Sequence, residues 1–134
     1  MTPSRMLPVN EAILKARFPS AYAKIIETGG RMPDSYYYEK INGTERLMIQ
    51  RGEHSFCPYG DNNPSKLIKR WYENLNLVGE SLYAITGFGD GSHLRHFLKE
   101  SGTGINVLAS EKDPALVRET LARFDLSDLL GHQR

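Results

Sequence analysis

An α/β fold follows from three features of this sequence. Ser81 to Lys112 runs as an apolar strand, a tight glycine loop Gly87-Phe88-Gly89-Asp90-Gly91, an amphipathic helix and a second apolar strand ending on the acid Glu111. Tyr36 to Gln50 holds two runs of β-formers joined through Asn42-Gly43, a strong hairpin signal. Asp113-Pro114 then opens a further helix, so strands and helices alternate through the second half. Together these predict an α+β amino-terminal part, a small helical and β-hairpin subdomain over 1–62, followed by a truncated Rossmann-like β-α-β-α half-unit over 63–134.

Each element has a local reason. Ala12, Ile13, Ala16, Ala21, Ile25 and Ile26 recur with helical spacing, Asn10 is expected to cap the start, and Pro19 should split the segment into two short helices before Gly29-Gly30 ends it. The hairpin runs are Tyr36 to Ile41 and Arg46 to Gln50, and a third short strand is expected between His54 and Tyr59. Asp61-Asn62-Asn63 reads as a turn and cap, with Pro64 at the first helical position. Leu67, Ile68, Trp71, Tyr72 and Leu75 form one apolar stripe, and that helix should end near Asn76. Ser81 to Thr86 and Ile105 to Ala109 are near-continuous apolar runs, as in parallel strands covered on both faces. Between them His93 to Glu100 carries Leu94, Phe97 and Leu98 on one side, and the last helix, capped by Asp113, should turn Leu116, Val117, Leu121 and Phe124 inward.

Composition narrows the function classes. The chain has 134 residues, 40% of them hydrophobic, and a net charge of +1 with no basic stripe, which argues against nucleic-acid binding. Cys57 is the single cysteine, so an internal disulfide and a cysteine-based zinc site are excluded and a reducing cytoplasmic setting fits. The opening residues mix polar and charged positions among the apolar ones, leaving no secretory or membrane segment there.

The glycine loop carries the chemistry. Alternate glycines permit positive φ and clear side chains from the amides at the following helix N-terminus, so Gly87, Phe88, Gly89, Asp90, Gly91 and the first-turn His93 form a candidate ligand site. The spacing is G-x-G-x-G, with Ser92 where a dinucleotide fingerprint has its third glycine, which favours adenosine-type ligands such as S-adenosylmethionine over NAD. Glu111 stands where a carboxylate accepts both ribose hydroxyls. Asp90 argues against a phosphate at the loop, since it sets a negative charge beside the anion. The cofactor is left open between S-adenosylmethionine and a nucleotide. The competing bland reading is a tight βα turn with Glu111 a solvated strand end.

Other residues carry less. His93 and His96 share a helix face without an acid at ligand spacing, so no metal is expected and they read as solvated helix residues. Cys57 reads as a small buried apolar residue, and Tyr36 to Tyr38 as sheet surface.

These residues resemble the amino-terminal region of the motility-associated-factor (Maf) glycosyltransferases and of the related MptE-like 6-hydroxymethylpterin diphosphokinases. The likeness runs from Arg17-Phe18-Pro19 to Leu130 and is best at Tyr83-Ala84-Ile85-Thr86-Gly87-Phe88-Gly89-Asp90-Gly91-Ser92-His93-Leu94. Asp90 departs from it, standing where a neutral residue is expected. The resemblance implies a non-catalytic scaffold domain with a nucleotide-like pocket, fronting a glycosyltransferase or diphosphokinase domain that lies outside this chain. Two other readings compete: the front half of an S-adenosylmethionine-dependent methyltransferase, and an interaction module. Two apolar parallel strands without a third have open edges, which leads to the expectation that a further domain of the parent or a second copy covers them.

Overall fold

Proline placement sets the first two helices of the computed structural model, which describes residues 6–27, 35–59, 64–77, 81–101 and 104–132. Helix α1 (Pro8–Arg17) starts with its proline in the first turn, and α2 (Pro19–Glu27) starts with Pro19, so the split at Phe18 is as the sequence predicts. Asn10 is not the cap. Leu7 holds that position, and Asn10 lies inside α1 with 0% of its surface exposed. Its amide Nδ2 donates to the carbonyls of Leu121 (2.8 Å) and Phe124 (2.6 Å), while Oδ1 accepts the Leu126 amide at 2.9 Å. An amide side chain carries both donors and an acceptor, so one residue here satisfies three backbone groups far along the chain. The Gly29-Gly30 helix stop and the Asp61-Asn62-Asn63 turn lie outside the described residues.

The hairpin forms as expected. Strands β1 (Tyr36–Ile41) and β2 (Thr44–Arg51) pair antiparallel, and the turn residues Asn42 (φ 51°) and Gly43 (φ 80°) both take the positive φ that a two-residue type I′ turn requires. Strand β3 (His54–Phe56) adds to β2 and ends ahead of Pro58, which has no ladder donor. Tyr36 and Tyr38 face the same way as their partners Ile49 and Leu47. This is the inner face: Leu47 is 2% exposed, and Tyr38 packs on Phe124 with ring centroids 5.7 Å apart. The tyrosine run is therefore not simply sheet surface.

Helix α3 (Pro64–Glu73) ends short of Asn76, with one further turn closed by the Asn74 and Leu75 amides. Strands β4 (Leu82–Thr86) and β5 (Asn106–Ser110) are parallel neighbours, joined through α4 (Ser92–Glu100). Leu94, Phe97 and Leu98 of α4 are all buried, each side chain contributing roughly 1.5–3 kcal/mol of burial. The expectation that both sheet faces are covered fails. Helix α4 lies on the Tyr83, Ile85 and Val107 side, where Phe97 meets Tyr83 at 5.8 Å, while Leu82 (67% exposed) and Leu108 (59%) face outward. Apolar runs report only that both faces are apolar, and here helices of the described chain cover one of them.

Helix α5 (Pro114–Arg123) follows Asp113, whose side chain makes no capping bond. A short α6 (Ser127–Leu130) closes the described chain. Helix α1 packs on α6 and α2 on α5, so Met6, Leu14 and Ile25 share one core with Leu121, Leu126 and Leu130.

Candidate ligand site at the glycine loop

All three loop glycines take the left-handed φ that the sequence pattern predicts, at 96°, 55° and 80° for Gly87, Gly89 and Gly91. Their surroundings differ. A Cβ on Gly87 would meet nothing within 4 Å, whereas one on Gly91 would press on Leu129 and Leu126 at 3.3 and 3.5 Å. A Cβ on Gly89 would lie 2.0 Å from the hydroxyl of Tyr59. Gly89 is thus bare because a tyrosine lies across it, and Gly91 because α6 packs there.

Tyr59 belongs to a polar network that holds the loop. The Asp90 amide donates to the Tyr59 hydroxyl at 3.2 Å, and that hydroxyl lies 2.9 Å from His93 Nδ1. His93 Nε2 is 2.8 Å from the Gly87 carbonyl. A carbonyl can only accept, so Nε2 carries the proton, Nδ1 is the acceptor and Tyr59 donates to it. Burial holds His93 below its ordinary titration range, against the raising effects of the Gly87 carbonyl and of Asp90, in keeping with a neutral ring. Burial also pushes the Tyr59 hydroxyl far above its ordinary value, so it stays protonated. On the other side of the loop Thr120 donates to the Gly89 carbonyl at 3.0 Å and receives the Tyr38 hydroxyl at 2.5 Å.

Glu111 braces the loop from β5. Its Oε1 accepts the Phe88 amide and its Oε2 the Asp113 amide, both at 3.1 Å, so a solvated strand end is not what the structure shows. Asp90 folds back, Oδ1 accepting the Ser92 amide at 2.9 Å, and its charge sits favourably at the N-terminus of α4.

A cavity of about 480 Å3 opens beside this loop, between the inner face of the hairpin sheet and α3. Gly87, Gly89, His93 and Glu111 form one wall, and Tyr36, Tyr59 and Trp71 supply aromatic surface on the others. The size suits a small-molecule ligand. Of the sequence-predicted site residues, these four line the cavity together. Phe88 turns instead to the core around Leu14 and Leu121, Asp90 caps Ser92, and Gly91 is buried. Tyr36, Tyr59 and Trp71 were not legible as site residues. Their positions depend on how the hairpin and α3 fold over the loop, and no local spacing encodes that.

His93 meets Trp71 edge-on at 5.8 Å, and His96 meets Tyr72 at 5.3 Å. Neither is a solvated helix histidine, and with both ring nitrogens engaged His93 has no donor left for a ligand phosphate. Cys57 is buried, as expected. Among the described residues, no group of three or more His, Cys, Asp and Glu is placed to hold a metal ion, and no helix is long and apolar enough to cross a membrane. Comparison with protein-family models, curated proteins and solved structures gives no match.

Proposed function

We propose that the chain is a non-catalytic recognition domain whose loop pocket takes the nucleoside part of an adenosine-type ligand. The observation that carries this reading is the make-up of the cavity wall. Glu111 is the charged residue on it, Trp71 and Tyr36 give flat apolar surface, and among the described residues no lysine or arginine lines it. Each Glu111 oxygen accepts one backbone amide and retains a lone pair for a ribose hydroxyl. A phosphate placed here would face Glu111, with Asp90 in the same loop and no lysine or arginine among the described lining residues to offset either. The resemblance to the amino-terminal region of the Maf and MptE-like transferases supports the same assignment, a scaffold with a nucleotide-like pocket whose chemistry resides in another domain.

A second reading, the front half of an S-adenosylmethionine-dependent methyltransferase, draws support from the bond between Glu111 and the loop amide of Phe88. Titration calorimetry with adenosine, S-adenosylmethionine, S-adenosylhomocysteine, CMP and ATP tests the pocket. The expected result is binding of adenosine and S-adenosylhomocysteine, with ATP weaker by about tenfold or more. A folded sample that binds neither at millimolar concentration removes the proposal. ATP binding as tight as adenosine removes the charge argument, and methyl transfer from S-adenosylmethionine moves the assignment to the second reading.

A further inference from the structure

The Tyr59 hydroxyl and the His93 ring form one continuous link from the Asp90 amide, through Tyr59 to His93 Nδ1 and from His93 Nε2 to the Gly87 carbonyl. The link spans the glycine loop from its first glycine to its acid. It comes from two separate elements, the connection after β3 and the first turn of α4, and Gly89 is shaped around the tyrosine between them. We infer that Tyr59 and His93 are a positioning pair that holds the loop in its ligand-taking form while the imidazole is neutral and releases it when the ring is protonated, so that ligand affinity at this pocket falls in acid. The affinity part rests on the ligand reading above; the clasp itself does not.

The directionality of the hydrogen bonds gives the reason. With Nδ1 unprotonated every group in the link has one partner of the right kind. A proton on Nδ1 turns that acceptor into a donor facing the Tyr59 oxygen, which already accepts from Asp90, and leaves the Tyr59 proton without its acceptor. Tyr59 cannot relieve this by ionising, because burial holds its hydroxyl protonated. The half-buried Tyr59 hydroxyl then loses its bond to Nδ1, so protonation of the ring weakens the link. The groups around His93 set where this happens. The loop presents Asp90, the end of β5 presents Glu111 on the same cavity wall, the β3 connection presents Tyr59, and α3 presents the uncharged edge of Trp71. Asp90 favours the imidazolium, but burial outweighs it, so the opening falls below the ordinary histidine range of about 6.5.

Histidine-labelled nitrogen NMR on the full chain, with Tyr59→Phe as the variant, tests the clasp. Phenylalanine keeps the ring and removes only the hydroxyl. In the wild type His93 should carry its proton on Nε2 at about pH 7.5 and titrate below the ordinary histidine range. Tyr59→Phe should shift the His93 Nδ1 resonance, the Gly87 carbonyl still holding the proton on Nε2, and speed exchange of the Asp90 amide about tenfold. Calorimetry with S-adenosylhomocysteine should show several-fold weaker binding near pH 5.5 than near pH 7.5 in the wild type and a flatter profile in Tyr59→Phe. A proton on Nδ1 at neutral pH, or an Asp90 amide indifferent to the variant, overturns the positioning pair. Binding that does not change with pH overturns its coupling to ligand. If neither adenosine nor S-adenosylhomocysteine binds at any pH, the failure belongs to the ligand reading, and the tautomer and exchange data decide the clasp by themselves.

Discussion

Gly89→Ala puts the relation between the loop and Tyr59 to a direct test. The new methyl group would sit 2.0 Å from the Tyr59 hydroxyl oxygen and 3.0 Å from Cζ, so the ring must withdraw. Withdrawal breaks the bonds to the Asp90 amide and to His93 Nδ1, each worth about 1 kcal/mol net. The backbone adds a second cost, since φ of 55° disfavours alanine by roughly 1 kcal/mol relative to glycine. The sum is on the order of 3 kcal/mol, a large part of the stability of a small domain. Gly43→Ala is the control, with φ of 80° and nothing within 4 Å of the new atom, and it should cost about 1 kcal/mol.

Urea unfolding read by fluorescence suits both variants, because Trp71 is the single tryptophan and packs against His93. A double-mutant cycle with Tyr59→Ala separates the two parts. In that background Gly89→Ala should keep only the backbone cost, giving a coupling of about 2 kcal/mol. The reasoning is refuted if Gly89→Ala is no more harmful than Gly43→Ala, or if its cost is undiminished once Tyr59 is gone.

Asn10→Ala strands the Phe124 carbonyl and the Leu126 amide in a site with no exposed surface, while the Leu121 carbonyl keeps the Leu7 amide at 3.1 Å, and chemical denaturation should show a loss of about 2 kcal/mol; a loss under about 1 kcal/mol would contradict the clamp. Glu111→Ala frees the Phe88 and Asp113 amides and should lower stability by about 2 kcal/mol with no ligand present, whereas a ribose-only role predicts no change. Arg123→Ala removes exposed pairs to Glu45 and Glu119 at 2.7 Å and a cation–π contact to Tyr38, and the thermal midpoint should move by no more than about 1 kcal/mol in equivalent stability, less in high salt. For His93 the folded state titrates below the unfolded chain, so the unfolded chain takes the proton first. Stability is then full above about pH 6.5 and declines as the pH falls through that value, and the difference between wild-type and His93→Gln melting profiles should show this decline.

The legible parts of the fold are those written in local chemistry. Asn42-Gly43 specifies its turn because both residues tolerate positive φ, and Pro19 and Pro114 start helices because a first-turn proline loses no hydrogen bond. Asn10 misled because the same side chain that caps a helix can satisfy backbone groups a hundred residues away, and only the packing of α1 on α6 selects between these uses. Leu82 and Leu108 misled for the converse reason: an apolar side chain states a preference for burial without naming what buries it. The loop and Glu111 were readable as one unit from spacing. Tyr38, Thr120, Tyr59 and Trp71, which hold or face that loop, come from β1, α5, the connection after β3 and α3, and carry no shared local pattern.

The loop's own geometry bears on how its ligand content should be probed. A G-x-G-x-G turn suggests that all three glycines make room for a ligand, yet two of them make room for the protein. Gly91 lies under Leu126 and Leu129, and Gly89 under Tyr59. Replacing either disturbs folding whether or not a ligand exists, so loss of binding in such a variant says nothing about recognition. Gly87 is different, with open space over its Cβ position and a place on the cavity wall beside Glu111. Gly87→Ala carries the strain of a φ of 96°, roughly 1–2 kcal/mol, and adds one methyl group toward the cavity. A variant that still unfolds cooperatively but loses adenosine binding would tie recognition to this wall. One that folds and binds as the wild type does would mean that the glycines of this loop serve packing, and that Glu111 and the aromatic wall bear the recognition by themselves.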